Sequence, residues 1–298
     1  MSVIVPARNP GKDLRGLLDA LARQTIGRDH FEIIIGDDGS TDGSTEGLST
    51  DDGWLQVVRG PQESSDAARN RAASSAHAPV FAFCDADCRP EPEWLDAGLK
   101  ALIDADLAGG LIVRTCSERP GVWTLLDIDT FIDQEGAVRQ GFAVSGNLFV
   151  RRETFERVGG FDDTLHYWGD FDFAERCVKS GARLVLAREA VSSHPTYESA
   201  RPFLRKLWSV NYAYAFHQAR VGRRPSKLRL REWIPILQPL RSRFSSGRSI
   251  GIDRKRLETN GIRPRLRHDL LAAPVIYILM PYLAIAAQAS GWWNGRRA

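Results

Sequence analysis

Cysteine is scarce. The 298 residues hold four, Cys84, Cys88, Cys116 and Cys177, and no two stand in C-x-x-C spacing. The common paired-cysteine zinc module is therefore excluded, and a chain this long needs no disulfide framework to hold a core, so a reduced, cytoplasmic protein is expected. A secretory leader is not expected either: the opening apolar run is only Val3, Ile4 and Val5 before Pro6, with no basic residue ahead of it. Acid is nearly missing from one segment. Residues 220–268 carry 15 Lys/Arg against 3 Asp/Glu, a net +12, whereas residues 1–219 carry 23 against 33, a net −10. An acidic, metal-using body followed by a basic segment that meets phosphates is the pattern this asymmetry suggests. No nucleic-acid recognition module accompanies the basic segment, which leaves lipid head groups as its expected partner and nucleic acid as none. Charge is absent altogether from Leu270 to Asn294. That run reaches the ~20 residues a bilayer span requires, although Pro274, Pro281, Gln288 and Ser290 interrupt it.

What is present is a chain that is 43% hydrophobic, ample for a packed core in one large domain or two small ones. It is organised around V-F-A-F-C-D-A-D-C-R, Val80 to Arg89. The apolar residues predict a strand covered on both faces, and in open α/β sheets ligands gather at the carboxyl ends of such strands. Asp85 and Asp87 stand at that end. Two carboxylates so close repel one another unless a cation lies beside them, and a hard divalent ion on diphosphate oxygens meets that need. A solvated turn or a helix N-cap would also suit Asp. Cys84 and Cys88 flank the acids, but soft thiolates beside hard carboxylates make a poor shared site, so both are expected as small buried hydrophobes.

In chain order, Ser2 to Val5 predicts a first strand and Pro6 to Lys12 a polar loop. Leu14, Leu17, Leu18 and Leu21 form one helical stripe; Phe31 to Ile35 is a second strand ending in G-D-D-G-S-T-D, and Gln56 to Val58 a weak third. Strand, helix, strand with acids at the strand end is a unit of a parallel sheet. Ser64 to Ala76 is a predicted helix packed through its alanines, with Arg71 a solvated charge. Pro92 opens a helix with Trp94, Leu95, Leu99, Leu102 and Ile103 inward. Leu111 to Arg114 and Phe142 to Val150 are predicted strands, with Trp123 to Phe142 acidic and irregular. Ser145 and Gly146 leave room for a ligand against the backbone, and Asn147 supplies an amide. A helix then opens at Trp168, with Phe171, Ala174, Cys177 and Val178 inward, and Leu184 to Leu186 is the last strand.

Taken together, S-V-I-V-P-A-R-N, G-D-D-G-S-T-D, A-A-R-N-R-A, D-A-D, R-R-E-T-F-E-R-V-G-G-F-D and W-G-D-F-D-F resemble the nucleotide-sugar glycosyltransferases of the GT-A fold, family 2. The resemblance implies donor-binding roles for Pro6, Ala7 and Arg8, for Asp38 against the base, and for Arg69, Asp85, Ala86, Gly146 and Asn147. It implies a divalent ion, Mn²⁺ or Mg²⁺, on Asp87, Asp85 and His194, and Asp170 as the base. An Asp at a helix N-terminus stays ionised at neutral pH and suits that role. Trp168 and Asp172 would face the acceptor, as would the Trp123 to Phe142 region. One position departs from the pattern: Gly169 stands where the family's E-D-x-D element carries its first acid.

The expected organisation is an α/β, Rossmann-like GT-A domain over 1–200, with a mostly parallel sheet flanked by helices. A basic helical extension over 201–268 and a hydrophobic membrane-anchor or interfacial segment over 269–298 would follow. The expected activity is inverting transfer of a single sugar from a nucleoside-diphosphate donor to a glycan or lipid-linked acceptor, in cell-envelope glycan or glycolipid synthesis. The Q-x-x-R-W signature of processive synthases is absent. Arg263, Arg265 and Arg267 before the uncharged run, against Arg296 and Arg297 after it, favour the cytoplasmic face of the membrane. Two alternatives stand beside this: a sugar-nucleotide nucleotidyltransferase, whose Gly-rich loop is not found at Pro6 to Lys12, and a non-catalytic membrane-attached scaffold that binds nucleotide sugars.

Overall fold

The computed structural model describes residues 1–165, 167–222, 254–262, 275 and 279–296. The chain divides into two compact units, the first Met1–Val113 with Ile132–Pro195, the second Arg114–Phe131 with Thr196–Ala298.

In the first unit, β1 (Ser2–Ala7), β2 (Glu32–Asp38), β3 (Leu55–Gly60) and β4 (Val80–Cys84) are joined by parallel ladders, β2 beside β1 and β3, and β4 beside β1. The sheet continues as a mixed one. β7 (Asn147–Arg151) pairs antiparallel with β4 and with β6 (Leu107–Thr115), and β5 (Arg89–Pro90) antiparallel with β8 (Leu184–Pro195), in the order β3-β2-β1-β4-β7-β6-β8-β5. The parallel half thus ends at β4, which corrects the expectation of a mostly parallel sheet.

Strand residues of alternate parity feed two separate cores. Val3, Val5, Ile33, Ile35, Ala82 and Cys84 pack with the leucines of α1 (Lys12–Leu21) and with Trp94 and Leu95 of α3 (Trp94–Ala101). Ile4, Ile34, Phe81 and Phe83 pack with Ala72 and Ala73 of α2 (Ser65–Ser74), Phe155 of α6 (Arg152–Arg157), and Phe173 and Cys177 of α7 (Gly169–Lys179). Period-two alternation therefore puts helices on both faces of the parallel strands, the arrangement such strands need to stay dry.

Several predicted boundaries move. β1 and β2 run on through Pro6–Ala7 and Gly36–Asp38, because the ladder pairs Pro6 with Gly36 and Ala7 with Asp37. The Trp123 to Phe142 region is not irregular: it holds α4 (Val122–Thr130) and α5 (Gln134–Arg139). Phe142 to Gly146 precedes β7 rather than belonging to it, whereas Val191 to His194 lies inside β8. Leu99 and Ile103 face outward, as does Val178, whose expected inner place on α7 goes to Phe173. All four cysteines are free thiols, and Cys84, Cys88 and Cys177 are buried.

The second unit contains α4, α8 (Ala200–Arg220) and helices Arg254–Thr259 and Met280–Gly295. Arg114 and Asp127 form an ion pair inside it, both almost fully buried. Gly291 and Gly295 lie against the carbonyls of Tyr212 and Phe216, where a side chain would not fit, so the last helix runs close along α8. Among the described residues no helix is long and apolar enough to cross a membrane; the last is 16 residues. Trp233, Ile234 and Leu237, the Arg263 to Arg267 cluster and Pro274 fall outside the described residues.

The approach of α2 to β2 rests on one glycine. A Cβ on Gly36 would lie 2.2 Å from the Ala68 carbonyl oxygen, a backbone atom with nowhere to go. Gly36→Ala is expected to lower unfolding free energy by about 2–3 kcal/mol through overpacking. Gly121→Ala, with nothing within 4 Å of its Cβ, is expected to lose no more than about 1 kcal/mol in the same urea titration, from its N-cap place on α4.

Candidate active site

The carboxyl ends of β1, β2 and β4 lie at one edge of the sheet. β7, antiparallel to β4, begins there, with Asn147 opposite Cys84. At the end of β2 the two acids divide the work. Asp37 accepts from Ser40 N (2.9 Å) and Thr45 Oγ1 (2.9 Å), a closed turn. Burial opposes its charge, but these hydrogen bonds hold its carboxyl below the usual range. Asp38 accepts from Glu63 N at 2.8 Å and lies 3.7 Å from Arg71 Nη2. Arg71 is thus not a free helix charge: it also pairs with Glu63 at 2.6 Å. Pro6 and Ala7 are buried beside these acids in β1, and Arg8 is exposed. Asn9 and Gly11 stitch that loop to Thr41, Ser40 and Asp42.

The centre is Arg69. It is buried on α2 and donates from Nη1 to Asp66 Oδ1 and from Nη2 to Asp85 Oδ1, each at 2.7 Å. Burial works against its charge, and Asp85, Asp66 and Asp170 outweigh that. Gly146 closes the other side of Asp85, where an added Cβ would lie 2.9 Å from Asp85 Oδ2. Ala86 packs its methyl group against the core.

Asp87 lies beyond. His194 Nε2 stands 3.5 Å from Asp87 Oδ1. Burial raises the Asp87 carboxyl above its usual range, Asp85 and Asp13 add to this, and His194 opposes it. A carboxylate and an imidazole among further acids are ligands suited to Mn²⁺ or Mg²⁺, so the residues fit a divalent ion. Cys88 Sγ also falls within 4.8 Å of these ligand atoms. It is buried and donates to the Gly146 carbonyl at 3.6 Å, consistent with a packed thiol.

Asp170 sits in the first turn of α7. The N-cap is Trp168, which makes no side-chain cap bond, so Asp170 is not there as the capping residue. Its carboxylate accepts from Phe171 N (2.9 Å) and Ser145 N (3.4 Å). Trp168 has φ +74, costly for a bulky residue, and its ring packs at a tilt against Phe171 (4.9 Å), which meets Phe142 (4.7 Å). Two residues expected at the ligand are engaged within the fold. Asp172 pairs with Arg176 at 2.7 Å, and Arg176 also donates to the Val158 and Gly160 carbonyls. Asn147 is fully buried: its Oδ1 accepts from Trp94 Nε1, and its Nδ2 donates to the Leu111 and Ala190 carbonyls. Its amide is spent on the fold. Asp66 was not foreseen; the i,i+3 spacing of Asp66 and Arg69 was the available signal.

The family model "Glycosyl transferase family 2" matches residues 2–159, and one described as "N-terminal domain of galactosyltransferase" matches residues 139–198. Glycosyltransferase AglE of Haloferax volcanii is 31% identical over 68% of this chain and 68% of its own length. A validoxylamine A glucosyltransferase of Streptomyces hygroscopicus is 27% identical over 64% of this chain, which spans only 54% of that relative. Among solved structures, the mannosyltransferase PcManGT of Pyrobaculum calidifontis, in complex with GDP-Man and Mn²⁺, superposes with a TM-score of 0.62. The alignment covers 98% of this chain and 87% of that one at 20% identity, a likeness of fold. The chain belongs to glycosyl transferase family 2 and is a glycosyltransferase of GT-A architecture.

Asp66 gives the site a pH signature. Burial lifts its carboxyl from 3.8 to about 6, Arg69 opposes this, and Asp170 and Asp85 add to it. A folded value above the unfolded one means that protonation stabilises the fold. That stabilisation is complete below about pH 4 and is lost as pH rises through about 6, about 3 kcal/mol in all. In Asp66→Asn, urea titrations from pH 4 to 8 are expected to lose this component, leaving the variant more stable than wild type at pH 8.

Proposed function

We propose that this chain moves one sugar from a nucleoside-diphosphate donor to an acceptor hydroxyl, with inversion at the anomeric carbon. The supporting observation is the convergence of Asp85 and Asp170 on Arg69 at one sheet edge, with the Asp87–His194 pair interacting with Asp85. Asp38 would meet the base in the cleft that Pro6, Ala7 and Arg8 border. Asp170, its carboxylate steered by two backbone N–H groups, would take the acceptor hydroxyl proton. The acceptor oxygen then bonds to the anomeric carbon as the bond to the diphosphate oxygen breaks. Asp87, His194 and Asp85 would hold a divalent ion, Mn²⁺ or Mg²⁺, which when bound stabilises charge on the departing diphosphate. Trp168 would stack on a sugar, and its left-handed backbone is the kind of strain that functional sites retain.

We place the enzyme on the cytoplasmic membrane face, acting on a lipid-linked or glycan acceptor of the cell envelope. Residues 220–268 would lie on anionic head groups and the C-terminal helix in the interface. Supporting this are the 15 basic residues of that segment and a last helix that exposes Tyr282 and Trp293. Full-length chain is expected to sediment with anionic vesicles at low salt and to be released at high salt. Retention in the supernatant under both conditions would reject the placement.

Donor binding is measured by calorimetry with UDP or GDP, with and without MnCl₂. Asp87→Ala is expected to abolish the metal-dependent part while leaving the melting temperature near wild type; donor binding that stays metal-dependent would move the ion elsewhere. Asp170→Asn keeps the side-chain shape but not the base. Its transfer rate is expected to fall by about 10² to 10⁴ with nucleotide affinity nearly unchanged.

A further inference from the structure

Gly169 has no room for a side chain, and the atom that fills the space is a carboxylate oxygen from another helix. An added Cβ would lie 1.9 Å from Asp66 Oδ2 and 2.8 Å from Asp66 Cγ. Asp66 belongs to the first turn of α2, and Gly169 opens α7 immediately before Asp170. Asp66 Oδ1 binds Arg69 Nη1, and Arg69 Nη2 binds Asp85 Oδ1. One buried carboxyl thus touches the head of the helix that carries Asp170 and, through one guanidinium, the acid at the end of β4. The first turn of α7 also carries the positive end of the helix dipole, a setting that favours a carboxylate.

We propose that Asp66 is a positioning residue of the donor site: from α2 it fills the space beside Asp170 that a side chain on residue 169 would take, and from there it fixes Arg69 against Asp85. This rests on reading the site as a donor site. The lack of a side chain at 169 is then not a lost function. The second carboxyl at the head of α7 comes from α2 instead, and the two positions form one unit: an acid at 66 requires glycine at 169. Arg69, Asp85 and Asp170 are the charged groups that face Asp66, and its charge costs stability at neutral pH. A residue kept only for stability would not carry that cost.

Two experiments on the full-length chain test this. The first needs no ligand. Gly169→Ala is expected to lower Tm by several degrees in the wild-type background and far less on Asp66→Ala, where the Cβ has room. Equal losses in the two backgrounds would overturn the placement. The second uses slow hydrolysis of UDP-GlcNAc and of GDP-mannose with MnCl₂ as probes. Asp66→Asn is expected to raise the KM for the hydrolysed donor about tenfold while Tm at pH 8 is equal to or above wild type, a combination that loss of structure cannot produce. A wild-type KM in that variant overturns the positioning role alone. Failure of wild type to release nucleotide from either probe rejects the donor-site reading and the positioning role together, whatever the melting cycle shows about placement.

Discussion

The carboxyl edge of this sheet depends on a guanidinium that is almost wholly buried. Arg69 is buried, with carboxylates of Asp66 and Asp85 on its two terminal nitrogens. Burying such charges costs several kcal/mol per ion, and their attraction roughly repays it; a well-packed apolar substitute is often as stable or more so. Stability therefore does not explain the arrangement. Geometry does, since a planar fork with two fixed partners has no rotamer freedom left. Asp85 is held at the end of β4 by a group anchored on α2, and Gly146 leaves no space on its other side for a larger residue. The same constraint makes Arg69 hard to replace, because its removal leaves the buried Asp66 carboxyl without its counter-charge, a kind of loss that costs about 3–5 kcal/mol.

Topology explains why so many polar groups meet there. Parallel β1, β2 and β4 point their carboxyl ends to one edge, and the switch to antiparallel pairing at β7 brings that strand's beginning to the same edge. Ser145 and Gly146 arrive next to Asp170 and Asp85 for that reason. β8 joins from the far side, its Ser193 pairing with Arg89 and its His194 reaching Asp87. Fully buried Asn147 locks the junction by tying Trp94 to β6 and β8. An amide read from sequence as a ligand contact is therefore a fastening that keeps the ligand edge in register.

The parallel half of the fold was legible because hydrophobic residues of both parities run through Val3–Val5, Ile33–Ile35 and Val80–Cys84, and only a strand covered on both faces uses both. Strand ends were less so: Pro6, Ala7 and the acids Asp37 and Asp38 carry no apolar signal, yet the ladder continues through them. α4 was invisible for the opposite reason. Thr124 to Ile128 are buried consecutively, so the helix has no polar face and no 3.6-residue period to read. β8 was shortened because Arg188 and Glu189 interrupt its apolar run while remaining in the strand. Asp85, Asp87, Arg69 and Asp170 were singled out through ordered motifs, whereas Asp66 was not, because its partner is an absence, the missing side chain of Gly169.

That missing side chain also bears on how Asp170 is held. The left-handed Trp168 and the hemmed-in Gly169 precede it, and neither offers a side-chain cap to α7. The start of the helix is therefore set by packing from outside: the Trp168 ring on Phe171, the Asp66 carboxyl over Gly169, and Ser145 N–H on Asp170. Strain of about 1–3 kcal/mol at a residue such as Trp168 persists only where the surroundings over-determine it. Each of these three supports comes from, or acts on, a group that borders the carboxyl edge of the sheet. Asp172, one helical step further, has instead turned to Arg176 and fastened α7 to the Val158–Gly160 turn. Of the two acids in the first turn, one anchors the helix, and the other accepts from backbone N–H groups and has Asp66 and Arg69 as charged neighbours. The division follows from position on the helix, since residues two apart cannot share a face.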